Sequence, residues 1–172
     1  TVWLRAAFIR LHCYRAAYWL TPRVRQAVRL NKGRRYDAVF ADDLDTVGAA
    51  LKIASKSHCR VHADIHEYFP GLHDFDPKWA KLQAPYMRWQ LRKFVGKAAS
   101  LTVVNDATGR RYQEEFGLAY QVVPNVPDAA DLHVTPTADD RPLRLVHVGG
   151  AMPGRRIEDL MRAAALAEGV TL

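Results

Sequence analysis

The chain has 172 residues, with 25 Lys plus Arg against 18 Asp plus Glu, and carries a formal net charge of +7. That length corresponds to one domain or one and a fraction, enough to bury a core without disulfide or metal staples. Its 49% apolar and 25% charged residues exclude wholesale disorder and collagen-like order. Residues 2–30 are predicted helical. Trp3, Ala7, Leu11, Tyr14 and Tyr18 fall on one face by their three- and four-residue spacing. A new helix starts at Thr21-Pro22, with Thr21 as N-cap. Short apolar strands are predicted over 36–41, 60–65, 101–104, 120–123 and 143–148. Helices are predicted over 45–56, over 78–97 with a kink or split at Pro85, over 106–116 between an Asp106 cap and Gly117, and over 155–168. Residues 129–142 read as a linker, so the expected domains are 1–140 and the beginning of a second at 141–172.

Strand and helix alternate throughout, which predicts an α/β, Rossmann-like parallel sheet with helices on both faces. Ligands of such sheets sit at the carboxyl ends of the strands. Residues 42–46, 66–76, 105–108, 125–128 and 149–156 are therefore the segments to search. The two cysteines, Cys13 and Cys59, form no framework and suit a reducing cytosol. Arg5, Arg10 and Arg15 interrupt any signal-peptide core, and no apolar run approaches the ~20 residues of a membrane span. A cytoplasmic location is expected. The chain opens without Met and stops at Val170-Thr171-Leu172, where a strand begins, so it reads as a piece of a longer protein.

Four constellations could carry chemistry. Val148-Gly149-Gly150-Ala151-Met152-Pro153-Gly154-Arg155-Arg156 is strand, glycine loop and helix start, a design that presents backbone amides and a helix N-terminus to phosphate. It lacks the Lys-Ser/Thr pair of a P-loop, and a plain strand-to-helix turn fits equally well. His62, Asp64 and His66 share one strand face. With no Cys pair or His-Glu-x-x-His beside them, structural histidines are expected and no metal. His66-Glu67, at the strand's carboxyl end, is the better placed part for binding or catalysis, with His62 and Asp64 buried along the strand. Asp42, Asp43 and Asp45 invite a two-carboxylate hydrolase reading, but capping by Asp45 and backbone binding by Asp43 explain them as well. Finally, Arg5, Arg10, Arg15, Arg23, Arg25, Arg29, Lys32, Arg34 and Arg35 are interleaved with Trp3, Phe8, Tyr14, Tyr18 and Trp19. That pattern fits either a surface helix packed on the sheet or contact with an anionic membrane. Nothing resembles a nucleic-acid-reading motif.

Taken in order, these segments resemble glycosyltransferase family 4, whose members have the two-domain GT-B fold. Asp37-Ala38-Val39-Phe40-Ala41-Asp42-Asp43-Leu44-Asp45-Thr46 is similar to the family's D-x-V-H-A-H-D-L-D-T segment, and Ala63-Asp64-Ile65-His66-Glu67 to its Y-D-x-H-E. Leu101-Thr102-Val103-Val104-Asn105 resembles its I-T-V-S strand, and Val122-Val123-Pro124-Asn125-Val126-Pro127-Asp128 its V-x-P-N-x-P-D turn. Val148-Gly149-Gly150 with Arg155-Arg156-Ile157-Glu158-Asp159-Leu160 resembles its V-G-G and R-G-I-E-D-L. The resemblance implies retaining transfer of a sugar from a nucleotide-diphosphate donor to an acceptor hydroxyl, as in polysaccharide or glycolipid synthesis, with no cofactor. It implies His66 as the active-site histidine. Gly149, Gly150, Arg155 and Asn125 would lie on the donor side, and Asp43 and Glu67 would be acceptor-side or structural residues. Phe40, Asp42, Asn105, Gly150 and Arg156 depart from the family pattern. Two alternatives stay open: a non-catalytic Rossmann-like binding domain at a membrane surface, and a sugar-nucleotide epimerase.

Overall fold

The computed structural model describes residues 2–130, 133, 142–152 and 154–171. The chain divides into two compact units, Thr1–Val126 and Pro127–Leu172. The expected linker lies mostly outside the described residues, as does the expected 140/141 boundary.

The first unit opens with three short helices, α1 (Val2–Arg10), α2 (Tyr14–Trp19) and α3 (Pro22–Leu30). The backbone breaks at His12, which has a φ of 55°, and this resets the helical phase. The predicted single face is therefore not formed: Trp3 is 89% and Leu11 70% exposed, whereas Ile9, Ala17, Tyr18 and Val24 are buried. Thr21 stands at the N-cap of α3 with Pro22 in the first turn, as expected. Its hydroxyl, however, donates back to the Ala17 carbonyl at 2.9 Å.

The sheet follows: β1 (Ala38–Asp42), α4 (Leu44–Ala54), β2 (Arg60–Ile65), α5 (Ala84–Lys93), β3 (Ser100–Val103), α6 (Asp106–Phe116) and β4 (Gln121–Val122). All strand pairs are parallel, in the order β1-β2-β3-β4, and helices flank the sheet. A π-helical turn over Trp79–Gln83 runs into α5. Pro85 sits in the first turn of α5, where its missing N–H is no loss. The helix α6 is capped by Asn105, whose side-chain oxygen accepts from the Thr108 N–H at 2.8 Å. The expected cap, Asp106, is instead the first helical residue, where its charge complements the helix dipole. Gly117 closes α6 with a φ of 68°, a left-handed position that glycine adopts without strain.

Strand register sorts the side chains by face. Val39 pairs with Val61, Ala41 with Ala63, Ala63 with Leu101, and Ile65 with Val103, and most of these residues belong to the buried core. On the other face Phe40 pairs with His62, Asp42 with Asp64, His62 with Ser100, and Asp64 with Thr102. That face is polar, and Phe40 on it is 64% exposed.

Tyr18 fastens the N-terminal helices to the sheet layer. Its hydroxyl donates to the Asp45 carbonyl at 2.8 Å and accepts from the Ala49 N–H at 2.9 Å. A Cβ on Gly48 would stand 2.6 Å from that hydroxyl oxygen, so the close approach of α2 and α4 depends on glycine there. Around Tyr18 gather Trp19, Phe94 and Trp89, with Tyr86 stacked on Trp89 at an interplanar angle of 11°. Such pairs add to the apolar burial they accompany.

In the second unit β5 (Leu143–Arg144) pairs parallel with β6 (Val170–Thr171), and α7 spans Ile157–Leu166. The strand predicted to Val148 is shorter and ends at Arg144. Val146 and Val148 are exposed. The predicted helix starts two residues late. Arg156 caps it with a φ of 51° and a ψ of 44°, a left-handed conformation that cannot continue a helix.

Candidate functional site

The carboxyl ends of β1 and β2 bring four side chains together. Asp42 ends β1, Asp43 forms the turn into α4, Asp64 lies near the end of β2, and His66 follows it. His66 Nε2 is 3.0 Å from Asp64 Oδ2 and 3.8 Å from Asp42 Oδ1. The other Asp64 oxygen accepts from the Thr102 hydroxyl at 2.6 Å. Thr102 Oγ1 in turn lies 3.0 Å from His62 Nε2, while His62 Nδ1 lies 2.7 Å from Ser100 Oγ. A continuous polar row thus runs from β3 to the histidine beyond β2.

Asp43 holds the same histidine through the backbone. Its carboxylate accepts from the His66 N–H at 3.5 Å, and its own N–H donates to the Asp64 carbonyl at 2.8 Å. To do this it takes a φ of 65° and a ψ of 161°, a region almost reserved for glycine.

The electrostatics follow from these contacts. The hydrogen bond to Asp64 raises the His66 pKa above its ordinary 6.5; burial opposes the rise, and the Asp64, Asp43 and Asp42 charges add to it. Burial alone would raise Asp64, but the hydrogen bonds from Thr102 and His66 outweigh it and hold the carboxyl below its ordinary value. Burial raises Asp43. One ligand atom from each of Asp42, Asp64 and His66 lies within 4.8 Å of the others, a spacing a metal ion could use. The Thr102 and His66 hydrogen bonds occupy the Asp64 oxygens without one.

Sequence reasoning placed His66 correctly at the strand end but set Asp64 aside as buried. Its side chain is 21% exposed and is the partner of His66. The period-two alignment of His62, Asp64 and His66 was the available signal. Glu67 is exposed. Its carbonyl accepts from the buried Tyr112 hydroxyl at 2.5 Å, and that hydroxyl also accepts from the Phe69 N–H at 3.1 Å. Tyr112 fixes the path of the loop after β2, and no sequence pattern announced it.

Two further features of the first unit are lined by charge. A cavity of about 620 Å³ adjoins Asp42, Asp43 and Asp45. A groove of about 750 Å³ is lined by Arg25, Arg29, Lys32, Lys52 and Lys56, with no acidic residue among its lining. In the second unit the glycine loop is a turn in which the Met152 N–H donates to the Gly150 carbonyl at 3.0 Å and the Arg155 N–H to the Met152 carbonyl at 3.1 Å. Arg155 Nη1 lies 3.4 Å from where a Cβ on Gly149 would stand, so these two predicted donor-side residues are neighbours. Arg155 precedes the cap of α7 rather than standing in its first turn. Asn125, exposed, follows β4 in the first unit.

A parallel sheet with helical crossovers and a histidine–carboxylate group at its carboxyl edge defines a Rossmann-like α/β protein, consistent with part of a GT-B fold. The family model described as Glycosyltransferase Family 4 matches residues 3–131, about three-quarters of the chain. The chain belongs to that family. No curated protein matches it.

Proposed function

We propose that the protein to which this chain belongs is a retaining glycosyltransferase that moves a sugar from a nucleotide-diphosphate donor to an acceptor hydroxyl in polysaccharide or glycolipid synthesis. The bond from the anomeric carbon to the diphosphate oxygen breaks, a bond to the acceptor oxygen forms, and the acceptor's proton is released. The observation that carries the reading is the His66–Asp64 pair at the carboxyl edge of β2 in a chain of this family. Asp64 occupies Nε2, and no partner of Nδ1 is found among the described residues. When protonated, His66 has a second N–H, at Nδ1, to offer to the sugar or to developing charge. The Gly149 and Gly150 amides and the Arg155 guanidinium take the donor diphosphate, with Asn125 on the donor side. Asp43 and Glu67 serve the acceptor side. In the full-length enzyme His66→Ala should fold normally and lose about 10²–10³-fold in turnover, the scale of a lost electrostatic donor. Unchanged turnover with the true donor would falsify the assignment.

The five cations lining the groove of α3 and α4 favour a second element of the reading, contact with an anionic membrane on the cytoplasmic face. Arg5 belongs elsewhere, since its Nε is buried.

A further inference from the structure

The polar row across the sheet face has a direction. Asp64 is held as a carboxylate and can only accept. Thr102 Oγ1 stands 2.6 Å from Asp64 Oδ1, a separation that two oxygens keep with a proton between them. The single hydroxyl proton of Thr102 is thereby committed to Asp64. Thr102 is buried, and its other side-chain hydrogen bond is with His62 Nε2 at 3.0 Å. The hydroxyl oxygen accepts there, so His62 carries a proton on Nε2. His62 Nδ1 then meets the Ser100 hydroxyl at 2.7 Å, whose proton turns to suit it. At the other end of the row His66 Nε2 donates to Asp64 Oδ2 at 3.0 Å.

Every donor in the row is thus aimed at Asp64, and both carboxylate oxygens are engaged, one from β3 and one from His66. A carboxylate bonded at one oxygen only is free to swing; bonded at both, it presents Oδ2 in one place. His62 is itself held. The Phe40 ring lies beside it with centroids 5.1 Å apart, and strand register sets Phe40, His62 and Ser100 abreast. The charged groups around the row are Asp42 and Asp43 at the end of β1, which face His66, and Arg60, on the same face of β2 as His62. Among the described residues none of these three bonds His62 or Thr102.

We propose that His62 and Thr102 are positioning residues for the reaction: through the ordered row Ser100–His62–Thr102 they fix the Asp64 carboxylate, and Asp64 fixes the His66 ring with Nδ1 left for substrate. The row itself stands on hydrogen-bond geometry alone, and its consequence for turnover rests on the glycosyltransferase reading.

The test uses the ¹⁵N-labelled full-length protein. Long-range ¹H–¹⁵N spectra at a pH where both rings are neutral should show His62 and His66 protonated on Nε2, with the His62 proton exchanging slowly with water. In Thr102→Val, which keeps the shape and removes the hydroxyl, that slow exchange should be lost and the His66 ring signals should shift. Turnover in Thr102→Val should fall about 10-fold, the scale of one lost hydrogen bond to a charged group, with donor and acceptor KM unchanged, and Thr102→Ser should restore it. His62 acts through Thr102, so His62→Leu combined with Thr102→Val should lose no more turnover than Thr102→Val alone; a larger loss would remove His62 from the row. A proton on Nδ1 of either neutral ring in the parent overturns the row, and that measurement needs no variant to fold. If His66→Ala abolishes turnover while Thr102→Val leaves kcat unchanged, the positioning proposal falls and the transferase reading stands. If His66→Ala leaves turnover intact, the assignment of His66 falls, and the His62 exchange decides the row alone: protection lost in Thr102→Val upholds it, and equal exchange in parent and variant overturns it.

Discussion

Asp43 is strained, and the strain sits beside the candidate chemistry. A non-glycine residue in its backbone region costs on the order of 1–3 kcal/mol. Here that cost places a carboxylate under the His66 N–H. Asp43→Gly should therefore be more stable than Asp43→Ala by about 1–3 kcal/mol, the reverse of the usual order, measured by urea unfolding. Both variants should lose activity. His66 is the second case at this scale. Because its pKa is raised by pairing, the pair contributes stability in full below 6.5 and loses it as pH rises through the folded value. Asp64 is depressed, so its contribution is present above 3.8 and is lost as pH falls through the folded value. The stability gap between the parent and Asp64→Asn should therefore be widest from pH 3.8 to 6.5. In Asp64→Asn the His66 titration, followed by its imidazole NMR signals, should move down toward 6.5. An unmoved midpoint would remove Asp64 from its positioning role. Arg156 shows how a departure from the family pattern can be read physically: it occupies a left-handed position where the pattern carries glycine.

Among the elements, the α2–α4 contact is a close fit that depends on Gly48. Gly48→Ala forces Tyr18 away from Asp45 and Ala49, and overpacking of this kind costs about 1–3 kcal/mol. Thermal denaturation should show a lower Tm, and pairing the change with Tyr18→Phe should cost less than the sum of the two, since both break the same hydroxyl contacts. Element order was legible from the sequence: the strands of the first unit and α4 and α6 lie within one or two residues of their predicted spans. Turn chemistry and Gly/Pro punctuation mark such boundaries locally. What escaped was set by tertiary contact. The break at His12 divides an apparently continuous apolar pattern. In the candidate site, strand-end logic found His66 and Asp43. Asp64 already shared the strand face of His66, but its partner Thr102 emerged only from strand register, because pairing across a sheet leaves little trace in a single sequence.

For the whole molecule, the net charge of +7 includes five cations that line the groove between α3 and α4. If this surface meets an anionic membrane, each basic residue near it contributes about 1 kcal/mol, screened by salt. Arg25→Glu, Arg29→Glu and Lys52→Glu together should sharply weaken sedimentation with phosphatidylserine-containing vesicles and leave binding to neutral vesicles unchanged. Equal binding of parent and variant to both would leave the groove an ordinary solvated surface. The aromatic cluster around Tyr18 gives the protein an internal optical reporter. Trp19 and Trp89 are packed among rings, while Trp3 stands in solvent. With Trp3 and the half-buried Trp79 both replaced by Phe, the emission should come from Trp19 and Trp89 in apolar surroundings, and detachment of the first three helices should register as a red shift before the sheet itself melts.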